Sequence, residues 1–132
     1  MQKLCKETPL PIALDEELIG VFELEKKQEL LSFIKPQYVI LKPSLIGGFK
    51  GSLDWVTAAK KNNIDWWITS ALESNIGLNA ISQFTYTLNN PLPQGLGTGS
   101  LYNNNINSPL TVSNGSLFYN NEKDWDLNIL KT

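Results

Sequence analysis

Tyr38-Val39-Ile40-Leu41-Lys42-Pro43-Ser44-Leu45-Ile46-Gly47-Gly48 is the stretch that decides the fold. Four consecutive apolar residues form a run of strand length, the pattern of a strand covered on both faces in a parallel sheet. The run stops on a lysine and then turns through glycines. An ammonium group is thereby expected at the carboxyl end of a parallel strand, where open and closed α/β sheets carry out their chemistry. A second apolar run, Pro11-Ile12-Ala13-Leu14, stops on Asp15. An acid and a base are therefore expected at matching positions on neighbouring strands.

Outward from these two runs, strands and helices alternate. Met1 to Glu7 reads as the end of a helix closed by Thr8-Pro9, because proline disfavours helix in the residue before it. Leu10 to Leu14 is a short strand. Glu17 to Ile34 carries apolar residues at the spacing of an amphipathic helix, with a break near Gly20 and a stop at Lys35-Pro36. A helix over Gly51 to Asn63 follows, with Leu53, Trp55, Val56 and Ala59 inward and Asn62-Asn63 suited to a left-handed end. Asp65 to Ser70 is a third strand, apolar through Trp66-Trp67-Ile68, and Ile76 to Leu88 is a further helix ended by Asn89-Asn90-Pro91. Gly95-Leu96-Gly97-Thr98-Gly99 is read as a glycine-rich fourth strand or strand end. Leu110 to Tyr119 is read as a β-hairpin turning at Asn114-Gly115. The alternation predicts an α/β fold of about four βα units with parallel pairing, followed by the hairpin, in a single domain.

Composition removes whole classes of function. The chain has 132 residues, a formal charge of −2 and no histidine. A Ser-His or Cys-His catalytic pair and histidine-ligated zinc or iron sites are therefore excluded. Cys5 is the only cysteine, so there is no internal disulfide and no thiolate metal site. With no basic face a nucleic-acid partner is not expected, and with no long apolar run a membrane span is not. Cytoplasm is the expected location. Any enzyme here works with carboxylates, lysines, hydroxyls and backbone groups, and the metal suited to such ligands is a hard one.

Each candidate site residue has two readings. Asp15, with Glu16 and Glu17, either ligates a divalent cation or caps a helix start, where acidic residues are favoured. Lys42 is either a solvated strand-end lysine or an enclosed one whose pKa is lowered for acid–base work. Thr69-Ser70-Ala71-Leu72-Glu73-Ser74 either holds an anionic substrate group or caps the helix that follows. The Gly95–Gly99 run lacks the Walker lysine and the Rossmann spacing, so its glycines are read as letting substrate approach the backbone. Asn114-Gly115-Ser116 matches a glycosylation sequon but is better explained as the hairpin turn.

In order and spacing these segments resemble the enolase superfamily barrel. They are Pro11-Ile12-Ala13-Leu14-Asp15-Glu16, Val39-Ile40-Leu41-Lys42-Pro43-Ser44, Thr69 to Ser74 with Gly77-Leu78, and Gly95-Leu96-Gly97-Thr98. Within the superfamily the likeness is to the o-succinylbenzoate synthases of menaquinone biosynthesis. The resemblance implies a partial (β/α)8 TIM barrel, its strands five to eight, with barrel strands one to four and the amino-terminal capping domain absent. It implies that Asp15 is one of three carboxylate ligands to magnesium and that Lys42 flanks an enediolate intermediate. It implies that Ser70 and Ala71 hold the substrate's succinyl carboxylate and that Gly95 lies against substrate. The implied reaction is dehydration of the cyclohexadiene carboxylate SHCHC to o-succinylbenzoate.

The family's lysine-x-lysine base and its other two metal ligands have no counterpart in this sequence. The chain alone is therefore expected to bind Mg2+ weakly or not at all and to be inactive. Open barrel edges lead to an expected homo-oligomer. Two alternatives stay open: a dipeptide epimerase or N-acylamino acid racemase on the muconate-lactonizing/mandelate-racemase-like scaffold, and a non-catalytic self-associating half barrel. The first would carry an aspartate-x-aspartate element where Gly97-Thr98-Gly99 stands.

Overall fold

Three short strands, β1 (Ala13–Leu14), β2 (Tyr38–Leu41) and β3 (Asp65–Ile68), lie side by side in chain order and are parallel throughout. The structure is a computed structural model that describes residues 1–131. The fold is α/β. The trace forms two compact units, one of Met1–Ala71 with Pro91–Gln94, the other of Leu72–Asn90 with the residues from Gly95 onward.

In the first unit the strands are joined by helices: α1 (Gln2–Glu7) precedes β1, α2 (Leu24–Ile34) joins β1 to β2, and α3 (Gly48–Lys61) joins β2 to β3. Burial alternates along each strand. Leu14, Val39, Leu41 and Ile68 are fully buried, with Leu31 of α2 and Trp55 of α3 equally enclosed. Each such side chain contributes about 1.5–3 kcal/mol of burial free energy. The other row (Ala13, Tyr38, Ile40 and Trp67) is half-buried, and the Tyr38 and Trp67 rings meet at 5.6 Å between centroids.

The helices end where the sequence signals them. Lys35 (φ 54), Asn63 (φ 55) and Asn89 (φ 48) all adopt the left-handed conformation just past a helix. Lys35 does so while its N–H closes on the Leu31 carbonyl. A lysine there costs more than a glycine would, and Pro36 next to it bars the helix from continuing.

Several expectations need correction. β1 is two residues, not five, because Pro11 can give no ladder hydrogen bond and only Ala13 and Leu14 are in register with β2. The Glu17–Ile34 segment is a 3-10 turn (Glu16–Leu18) followed, past Gly20 at φ 83, by α2 alone. Phe22 falls between them and is exposed. Leu53 points outward on α3, with Ala58 taking a buried place instead. The glycine run does not form a fourth strand: only Gly95 makes an isolated bridge. Three glycines in five residues remove the side chains that would pack a pleated surface.

One sheet edge, expected to be raw, is partly clipped. Ahead of β1, the Ile12 N–H donates to Gln37 Oε1 at 2.8 Å and the Gln37 N–H to the Ile12 carbonyl at 3.1 Å, which extends the pairing of β1 with β2 and not the cover of its outer edge. On the β3 side, the Ile68 N–H donates to Gln94 Oε1 at 2.8 Å.

The second unit contains α4 (Asn75–Thr87) and the antiparallel hairpin β4 (Leu110–Ser113) and β5 (Ser116–Tyr119). Asn114 (φ 50) and Gly115 (φ 74) are both left-handed, as the predicted turn requires. Among the described residues no helix is long and apolar enough to cross a membrane.

Candidate active site

Lys42 and Asp15 meet. The Lys42 ammonium donates to Asp15 Oδ2 at 2.7 Å, and Glu16 Oε1 lies 3.7 Å away. The encounter follows from strand geometry. Leu14 pairs with Val39 and Leu41 with Ile68, so Asp15 and Lys42 each continue the half-buried row of their strand. Side chains two apart on a strand share a face. The lysine side chain is 19% exposed and the aspartate 33%, so the pair is partly enclosed within the first unit.

The helix-cap reading of Asp15 holds for its position and for the glutamates of the first turn, but not for the bonding of its side chain. It occupies the N-cap position of the 3-10 turn, but its side chain makes no capping hydrogen bond. Its carboxylate is turned to Lys42, while its N–H donates to Glu17 Oε2 at 3.3 Å. Glu16 is a partner of Lys42 that the sequence signals only by its place next to a strand-end aspartate.

The expected lowering of the Lys42 pKa is also reversed. Its hydrogen bond to Asp15 raises it, outweighing the burial that would lower it, with the Asp15 and Glu16 charges adding in the same direction. A distance of 2.7 Å lies in the range of charge-assisted bonds, which favour the charged form. In this chain Lys42 is therefore a fixed cation at neutral pH and not a free base. That suits it to stabilise developing negative charge.

The remaining candidates are placed as follows. The ladder runs one residue past β3, with the Thr69 N–H on the Leu41 carbonyl at 2.9 Å. Burial alternation continues through this point: Thr69 is half-buried like Lys42, Ser70 is buried like Ile68, and Ala71 is half-buried. Thr69 thus shares the row of Lys42 more directly than Ser70 does. Gly95 belongs to the second unit.

The donor set does not make a resident metal site by itself. Among the described residues no group of three or more carboxylate, thiol or imidazole side chains could hold an ion. The one strand-end carboxylate has an oxygen already held by an ammonium, which competes with any cation for it.

Known proteins give this geometry a context. No family model matches the chain. A curated o-succinylbenzoate synthase from Desulfotalea psychrophila is 54% identical over 117 residues, which is 89% of this chain and 32% of that protein. This chain is similar to an o-succinylbenzoate synthase. The crystal structure of MenC from Desulfotalea psychrophila LSv54 superposes with TM-score 0.83 at 53% identity, over 88% of this chain and 32% of that one. The L-Ala-D/L-Glu epimerase of Bacillus subtilis (TM-score 0.74, 20% identity) and the muconate lactonizing enzyme of Pseudomonas putida (0.75, 24%) share the fold, each again over 88% of this chain and 32% of theirs. The chain spans about a third of the length of the synthase it matches.

Proposed function

We propose that this chain carries the Lys42–Asp15 strand ends of an o-succinylbenzoate synthase-like carbon–oxygen lyase, acting on a small carboxylate in the cytoplasm as part of menaquinone biosynthesis. In this reading β1, β2 and β3 are consecutive strands of a partial (β/α)8 barrel, and the glycine run is where a further strand of the closed barrel would stand. The observation that carries it is the 54% identity over 117 residues to a synthase, in a chain whose two strand-end groups are brought to 2.7 Å.

The reaction takes a proton from the carbon next to a carboxylate and expels a hydroxide. Charge accumulates on the substrate's carboxylate oxygens as the proton leaves. A lysine held cationic by its neighbours lowers the free energy of that anion without giving up its own proton. Asp15 keeps the ammonium protonated and aimed along the half-buried row. Ser70 and Ala71 are proposed to receive the substrate's second carboxylate. The chain contains no lysine-x-lysine pair to take the proton. Magnesium enters only as the metal of a complete barrel, in which Asp15 would be one carboxylate ligand. Homo-oligomer formation through the sheet edges is part of the same proposal.

The test is dehydration of SHCHC, followed by the absorbance of the aromatic product. The purified 132-residue chain is expected to give no turnover, whereas a chain extended upstream to include the missing base is expected to be active. In that longer chain Lys42→Ala should lower kcat about 10²-fold or more, the scale of losing one preorganised electrostatic donor. An extended chain that epimerises dipeptides but leaves SHCHC untouched would overturn the reading.

A further inference from the structure

Lys27, on α2, is the one lysine among the described residues whose residue surface is fully buried. Its ammonium donates to the Gly51 carbonyl at 3.1 Å, lies 3.7 Å from Asp54 Oδ2, and sits 5.4 Å from the centre of a Trp55 ring. Stability alone does not account for it. Burying a charge is expensive, and apolar residues of similar volume at such places are often as good or better. The position adds a second cost, because Gly51 lies in the first turn of α3, where the helix dipole disfavours cations. Beyond the Asp54 carboxylate and the Trp55 ring, what the ammonium gains is a hold on one carbonyl.

That carbonyl is linked to the site by contacts within the first unit. Gly51 is packed so closely on the Ile46 carbonyl that a Cβ would collide with it. Ile46 is itself buried, and the loop around it is folded back on the strand end. The Leu45 N–H donates to the Lys42 carbonyl at 2.8 Å, the Gly48 N–H to the Pro43 carbonyl at 2.8 Å, and the Gly51 N–H to the Gly47 carbonyl at 3.0 Å. The backbone that leaves Lys42 is thus tied, turn by turn, to the residue that Lys27 grips.

We propose that Lys27 is a positioning residue: by holding the Gly51 carbonyl it fixes the first turn of α3 and the Pro43–Gly47 loop, and so the direction in which Lys42 meets Asp15. The claim goes beyond the lyase reading. Its test reads the ammonium–carboxylate pair itself and not turnover, so either can fail while the other stands.

The experiment is hydrogen exchange of the lysine ammonium protons, observed by 1H–15N NMR on the purified chain, alongside thermal unfolding. In Lys27→Met the unfolding midpoint is expected to be kept or raised, while the Lys42 ammonium protons exchange at least about tenfold faster. Lys61→Met is the control. It removes an exposed lysine that bridges the same two helices, with Nζ 2.7 Å from Gln28 Oε1, and should leave Lys42 unchanged. A folded Lys27→Met chain with unchanged Lys42 exchange would overturn the proposal. If that variant does not fold, the unmutated chain decides. Protection of the Leu45 and Gly48 amides should match that of the Lys27 ammonium, and loop amides about tenfold less protected would show that the loop opens without Lys27, contrary to the proposal.

Discussion

Two lysines of the first unit are shifted in opposite directions, and the signs can be read in stability. The Lys42 pKa is raised, first by its hydrogen bond to Asp15. The pair's contribution is therefore complete below the unfolded value of about 10.4 and is lost as pH rises through the folded one. Lys27 is lowered, first by burial. There the unfolded chain binds the extra proton, so its penalty is relieved as pH climbs through the window below about 10.4. The expected outcome is that the difference in urea-unfolding free energy between the unmutated chain and Lys42→Met shrinks from about pH 9 to about pH 12. A difference that grows over that range would contradict the assigned sign. The meeting of Lys42 with Asp15 was legible because apolar runs end on them and strands alternate with period two. The direction of the shift was not, since it depends on a 2.7 Å contact that no local pattern specifies. The burial of Lys27 is announced by its spacing alone: Leu24, Lys27, Leu31 and Ile34 fall on one helical stripe.

At the scale of elements, the ends of helices were easier to read than their partners. Asn62-Asn63 and Lys35-Pro36 mark stops by local chemistry. The start of α4 is held differently. Ser74 makes no side-chain cap. Instead the Asn75 N–H donates to Asn105 Oδ1 at 2.9 Å, from 30 residues downstream. Asn75 Nδ2 donates to the Ile106 carbonyl at 2.6 Å, and Asn105 Nδ2 to the Gly99 carbonyl at 2.9 Å. The asparagine cluster read as surface loop thus supplies a helix cap, which long-range closure alone could reveal. Asn105→Ala is expected to cost about 1 kcal/mol, the usual loss for a side-chain cap, measured as a lower urea midpoint with unchanged slope. No change would mean that water replaces the amide at no cost.

At the scale of the whole molecule, the sheet is short and its outer strand β3 depends on a side chain for cover. Gln94→Ala would leave the Ile68 amide without its acceptor, a loss of about 1–3 kcal/mol when such a group stays buried. The same change exposes a strand edge, and the expected result is stronger self-association in light scattering at micromolar protein. A variant both as stable and as monomeric as the parent would count against the role given to Gln94. The α/β alternation and the hairpin were legible because their periods and turn residues are local. The division into two units was not, because Pro91–Gln94 returns to the first unit after α4 has been built. A nascent chain must therefore grow 26 residues beyond Ile68 before that amide finds its acceptor. During synthesis the strands of the first unit leave the ribosome well before the residue that finishes it.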